Sequence, residues 1–234
     1  MKAIFGAIKL GRFGMGRFVK FIVLVFWLVF WASIYCTQAS EEILEIRPGD
    51  VILISLNCSV CPLIENETDS PYSHSGIIVQ KESGVVMVAQ ALGRGVHHVP
   101  LDQFLSTIRP EGVAHIFRTR ELDQLYHRNP EAFKNFEQDL WKTYQEQFLG
   151  LPFDPYFLWE NSDTEKRERL YCSEFVAKLL NHSLHREIRP VPMDFSRNFA
   201  AWSRLFRGAV PQGKPGLAPS DFSKNRLLFF VNAL

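Results

Sequence analysis

The chain lacks most of what would point to metal or nucleic acid. It has only four cysteines in 234 residues, and neither a second Cys pair nor a His pair stands at zinc-ligand spacing from Cys58 and Cys61. No metal site is expected from these residues, and no organic cofactor is implied. It also lacks an excess of charge: 26 basic and 25 acidic residues leave a net +1. The first 39 residues lack any acid but hold Lys2, Lys9, Arg12, Arg17 and Lys20, so the remainder carries a net −4. A weakly acidic body argues against nucleic acid as the partner, because phosphate contacts need a basic face. No internal repeat is visible. What the chain has in quantity is apolar residues, 47%, enough to bury a full core and to exclude a mainly disordered chain.

The longest uncharged apolar stretch, Phe21 to Cys36, is 16 residues and follows the five cations. A charged segment followed by an apolar one is the pattern of an export signal. Thr37-Gln38-Ala39 offers small residues for cleavage, which would start the mature chain at Ser40. The competing reading is an uncleaved anchor, although the run falls just short of the ~17–25 residues of a membrane span. Lipidation at Cys36 is disfavoured by bulky Tyr35 before it. We expect residues 1–39 to be a signal peptide or membrane anchor and 40–234 to be the functional domain. Its location would be the cell envelope, periplasmic or otherwise outside the cytoplasm, anchored in the inner membrane if the segment is retained. In such a compartment Cys58 and Cys61 form a small disulfide or remain two loop thiols. A redox pair is disfavoured, because no helix pattern follows Cys61.

The domain begins with strand signals. Arg47-Pro48-Gly49-Asp50 is a turn before Val51–Leu56, and His74–Gln80, Val85–Gln90, Gly95–Val99 and Val113–Arg118 read as further strands. Residues 57–73 read as a polar loop, and 101–107 as a helical turn. The period then changes. Pro130 opens a helix whose Phe133, Phe136, Leu140, Tyr144 and Phe148 make one buried stripe. Tyr171–Leu180 and Phe195–Phe206 are further helices, and Leu227–Val231 a last strand. Strands first and helices after predict an α+β domain, an antiparallel sheet packed against helices.

One helix could carry chemistry. In Tyr171-Cys172-Ser173-Glu174-Phe175-Val176, Cys172 sits in the first turn, where unpaired N–H groups stabilise a thiolate and an oxyanion. Taken alone, this cysteine reads more readily as a small core residue. A nucleophile also needs a base. Of the seven histidines, His182 and His185 follow the helix, His127 lies in a polar linker, and His115 sits in an apolar strand. His97 and His98 are adjacent and face opposite ways. His74 opens a strand, with Gly76 leaving room two positions on, which is where a base facing a cleft would stand.

Gly49-Asp50-Val51-Ile52-Leu53, His74-Ser75-Gly76-Ile77 and Tyr171-Cys172-Ser173-Glu174-Phe175-Val176 together resemble the signatures of permuted papain-like hydrolases. These are circularly permuted relatives of the NlpC-type amidases, the YiiX- and YebB-like branch. Leu151-Pro152-Phe153-Asp154 is similar to a Tyr-Asp segment that precedes the cysteine there, with Phe153 in place of the tyrosine. The resemblance covers residues 47–182 and implies a papain-like fold. It implies Cys172 as nucleophile, His74 as general base and a third residue, often Glu, at Gln90. Gln90 can hold a ring N–H but cannot stabilise imidazolium by charge. Hairpin register bears on this. A loop of residues 81–83 sets Gln90 opposite His74, and a loop of 81–84 sets it opposite Ser75 on the other face. Tyr171 is either an oxyanion donor or a packing aromatic.

The expected function is a thiol hydrolase that cleaves an amide or ester through a thioester on Cys172. Its substrate would be a small peptide, a glycopeptide from peptidoglycan, or a lipid acyl group. Aromatics at Phe153, Tyr156, Phe157 and Trp159 would line its groove or cover the core. Two other classes stand beside it: a catalytically weak binding module of the envelope, favoured by Gln90, and a thiol redox protein using Cys58 and Cys61.

Overall fold

The computed structural model describes residues 46–184 and 187–234. The expected signal or anchor at 1–39 lies outside the described residues, as does His185. No helix among the described residues is long and apolar enough to cross a membrane. The fold is α+β. The strands are β1 (Val51–Ile54), β2 (His74–Gln80), β3 (Val86–Leu92), β4 (Gly95–Pro100), β5 (Ala114–Thr119) and β6 (Leu228–Ala233). They form one antiparallel sheet in the order β6-β5-β1-β2-β3-β4. The helices are α1 (Cys61–Thr68), α2 (Leu101–Leu105), α3 (Arg120–Arg128), α4 (Pro130–Thr143), α5 (Cys172–Leu184), α6 (Phe199–Leu205) and α7 (Pro219–Lys224).

Central β1 is buried along its whole length, which is why Val-Ile-Leu-Ile shows no polar alternation. Its Val51 and Leu53, with Ile77, Val79 and Ala89, face α4 and α5 through Phe133, Leu140, Phe175 and Val176. Ile52 and Ile54, with Ile78, Val88 and Ile116, face the other way onto Phe104 of α2. A third, separate cluster of Phe195, Trp202 and Phe206 packs on Val60, Leu63 and Ile64 of α1 and its approach. We call this the cap.

Three sequence expectations need correction. The segment 57–73 is not all loop, since it contains α1; the helix starts at Cys61 with Pro62 in its first turn. Its Leu63 and Ile64 pack on the cap rather than on the main core, so the short apolar stripe carries little signal. His127 lies in α3, not a linker. Thr119 caps that helix by accepting from the Leu122 N–H, and Leu122 is its only buried residue. The hairpin register matches neither loop that was weighed. Gln80 pairs with Val86 and Ile78 with Val88, so residues 81–85 form the loop. Continuing that register sets Gln90 opposite Gly76. Gln90 thus shares a face with His74 as its diagonal neighbour.

At Gly76, β2 lies close against its neighbours. A Cβ there would lie 2.5 Å from Val88 Cγ1 and 3.2 Å from Phe104 Cε2. Gly76→Ala should therefore destabilise the domain by about 1–3 kcal/mol, the usual cost of overpacking. Urea unfolding checks this: the midpoint should fall with the slope unchanged, and an unshifted midpoint would mean that Val88 and Phe104 move aside freely.

Candidate active site

The approach to α5 is built by pairing. Leu170 N–H donates to Pro152 O (3.0 Å), and Asp154 N–H donates to Leu170 O (3.1 Å). This lays the Leu151–Asp154 segment beside the entry to the helix. The Asp154 carboxylate is fully buried and accepts from the Tyr156 N–H (3.0 Å), the Leu158 N–H (2.7 Å) and Asn161 Nδ2 (3.0 Å). It holds a loop in which Phe157 adopts a φ of +53°. Phe157 packs its ring on Tyr171, 5.6 Å between centroids. Glu174, also buried, secures the loop's far end by accepting from the Glu160 N–H (2.9 Å). Burial pushes its carboxyl up to about 7, opposed by Lys178 at 2.8 Å.

Cys172 begins α5, and Phe175 N–H donates to Tyr171 O to close the first turn. His74, Cys172, Ser73 and Ser173 line one cavity at the end of the sheet. Burial pushes the Cys172 thiol up, but hydrogen bonding and the charge of His74, with the hydroxyls of Ser173 and Ser75, bring it down to about 7. Ser173 Oγ lies 3.6 Å from the sulfur. The Ser75 hydroxyl is buried and has no other partner among the described residues. His74 is buried, its ring against Phe104, and its Nε2 is 2.7 Å from Gln90 Oε1. Gln90 Nε2 in turn lies 3.2 Å from His97 Nε2.

The geometry thus brings Cys172, His74 and Gln90 together. Tyr171 lines the same cavity, but its hydroxyl accepts from the Leu217 N–H (2.9 Å), so its oxygen is engaged by the segment leading to α7. His98 turns to the other face, with Nδ1 2.9 Å from the Tyr144 hydroxyl. His115 meets Tyr72 Oη at 2.7 Å. Sequence reasoning gave no part to Ser75, Ser173 or His97. The first two had a signal, being neighbours of the two singled-out residues.

The cavity holds about 350 Å³. Its walls are mainly apolar: Val60 and Ile64 from the α1 side, Phe157 from the loop, and Met193, Phe195 and Trp202 from the cap. Of the four aromatics in the loop, Phe153 and Phe157 line it. Tyr156 is exposed, and Trp159 packs on the core beside Lys178. Cys58 and Cys61 are joined as a disulfide on the same wall.

A family model for the permuted papain-like amidase enzymes, the YaeF/YiiX or C92 family, matches residues 45–228. The chain belongs to this family. It is a cysteine hydrolase of the amidase type, and His74, Gln90 and Cys172 all fall within the matched span. No curated protein matches the chain. Among solved structures, the chain is similar to the crystal structure of yiiX from Escherichia coli O157:H7, with 22% identity and a TM-score of 0.65. The match covers 81% of this chain and 98% of that one. That likeness shows the fold. The yiiX protein is described as a metalloprotein. Among the described residues here, no group of three or more His, Cys, Asp or Glu side chains is placed to hold a metal ion.

A thiol held at about 7 should react with iodoacetamide at neutral pH, half-maximally near pH 7. In His74→Ala the burial that raises the thiol remains and the largest opposing influence is gone. The labelling midpoint should therefore move to higher pH. Peptide mapping of labelled Cys172 checks this, and an unmoved midpoint would separate the thiol from His74.

Proposed function

We propose that the chain hydrolyses an amide or ester with an apolar acyl group, by way of a thioester on Cys172. The observation that carries this reading is that Cys172 and His74 line one apolar cavity, where His74 is the main influence lowering the thiol, and that His74 Nε2 is held 2.7 Å from Gln90 Oε1. His74 takes the thiol proton on the nitrogen not bound to Gln90. The sulfur attacks the acyl carbon, and the oxyanion meets the N–H groups of the first turn of α5. The imidazolium returns its proton to the leaving amine or alcohol. Water, deprotonated by His74, then cleaves the thioester and restores the thiol. Gln90 holds the imidazole. Among the expected substrates, a lipid-like acyl chain suits walls of Ile64, Phe157 and Trp202 better than a glycopeptide does.

We also propose that the domain works in the cell envelope, tethered or released by residues 1–39. The order of cations and apolar run supports this, as does the Cys58–Cys61 disulfide, a bond kept in oxidising compartments. A reporter fused after Leu234 should be active outside the cytoplasm, and activity confined to the cytoplasm would refute it. The uncharged Gln90 favours one other reading, a weakly catalytic binding module that retains ligands in the same cavity.

A series of fluorogenic acyl esters and amides tests the function. With acyl chains of increasing length, kcat/KM should rise roughly fourfold per methylene until the cavity is full, the equivalent of about 0.8 kcal/mol each. Cys172→Ser should fold and be inactive. His74→Ala should lose about 10²–10⁴-fold. Gln90→Ala should lower kcat, while Gln90→Glu should keep or raise it. Rapid labelling of Cys172 without turnover of any substrate would favour the binding module.

A further inference from the structure

A carboxylate can accept from whichever imidazole nitrogen faces it. An amide cannot do so freely, because one end accepts and the other donates. With glutamine beside His74, something must set which end is presented. Hydrogen bonds traced inward from β4 supply it. Gly95 O can only accept, and His97 Nδ1 is 2.8 Å from it, so that nitrogen carries a hydrogen. A neutral His97 then has its lone pair on Nε2, where Gln90 Nε2 donates at 3.2 Å. This turns Gln90 Oε1 toward His74, whose Nε2–H donates to it at 2.7 Å. The His74 lone pair is left on Nδ1.

The geometry points to His97 as a positioning residue that, through Gln90, selects the His74 tautomer able to take the Cys172 proton. The inference rests on His74 being the base. It also defines an inactive state that differs by one proton. A doubly protonated His97 donates from both nitrogens, so Gln90 must turn its amide over and offer Oε1 to His97. Gln90 Nε2 then donates to His74 Nε2, the His74 hydrogen moves to Nδ1, and the ring presents no lone pair to the thiol. Burial keeps His97 below its ordinary pKa, and Arg94 and His74 oppose its charge as well, while the Gly95 carbonyl favours it. His98, adjacent on the opposite face, is likewise kept below its ordinary pKa, by burial first and then by Lys81, His97 and Arg94.

Ring nitrogen-15 spectra of the histidine-labelled full chain, combined with kinetics of ring and amide variants, test this. Wherever His74 of the wild type carries a single ring hydrogen, that hydrogen should be on Nε2. His97→Phe keeps an aromatic ring but no acceptor. It should give His74 a mixture of tautomers and lower kcat by about 10–100-fold with KM unchanged, the scale of losing an orienting partner. His97→Gln, which again offers an accepting oxygen, should recover most of the rate. In Gln90→Glu the carboxylate accepts from His74 without help, so adding His97→Phe to it should cost little. A wild-type His74 whose single ring hydrogen sits on Nδ1 rather than Nε2 would overturn the proposal. So would a His97→Phe variant with unchanged tautomer and kcat, or a folded double variant as slow as His97→Phe alone. If no substrate is turned over, the hydrolase reading fails on its own, and the nitrogen-15 shifts still decide the tautomer.

Discussion

A thiolate is expensive to keep where water is scarce, and Cys172 lines a cavity whose walls are mainly apolar. Burial is the largest influence on Cys172 and acts against ionisation. What offsets it comes from two elements that have to meet: His74 and Ser75 at the start of β2, and Ser173 in the first turn of α5. The rest of the domain serves that meeting. Phe175 and Val176 seat α5 on Leu53, Ile77 and Ala89, so its N-terminus falls at the mouth of β2. Asp154 and Glu174 pin the two ends of the loop that leads into it. Each of these buried carboxylates accepts from backbone N–H groups, beside Asn161 for Asp154 and Lys178 for Glu174, and charge-assisted bonds to the backbone fix the course of the chain.

The opposite wall depends on α1, a helix whose two sides are held differently. Glu65 accepts from the Ser73 hydroxyl (2.9 Å) and pairs with Arg109 (3.1 Å), next to His74. Glu67 accepts from the N–H groups of Arg197 (2.8 Å) and Asn198 (2.9 Å) and from Trp202 Nε1 (2.9 Å), so it anchors the cap. The disulfide closes the turn from which the helix starts. One eight-residue element thus ties the strand of His74 to the apolar cap over the cavity.

How much of this was legible in the sequence follows from which periods were strong. The buried stripe of α4 and the apolar face of α5 repeat every three or four residues against one core, and both helices stand where the pattern put them. The pattern ran α4 on to Phe148, but its last turn, Tyr144–Phe148, is a π-helix. The strands were legible because each is bounded by turn residues. α1 was not, since its apolar residues face a cap formed by residues more than a hundred positions later. The diagonal placement of Gln90 was beyond sequence reasoning too, because one residue more in the hairpin loop changes the register and no side chain announces it. Cys172 and His74 were legible as a pair only through the three resembling segments. The helix alone favoured a core cysteine.

The glutamine is the remaining departure, and the site's own electrostatics give it a physical sense. A carboxylate at position 90 would have to be buried between β2 and β4, where desolvation is severe. It would stabilise the imidazolium, but the thiol already reaches about 7 without it, because His74 first, and the Ser173 and Ser75 hydroxyls after it, favour the charged sulfur. A neutral amide keeps the buried charge of the reacting state to one pair, sulfur and imidazolium, and leaves the imidazole's orientation to geometry. Orientation by an amide is directional in a way that orientation by a carboxylate is not, so it holds only while the group behind it has a fixed donor and acceptor. A backbone carbonyl cannot change its role with pH, and a line of hydrogen bonds that ends on Gly95 O inherits that constancy as far as His97.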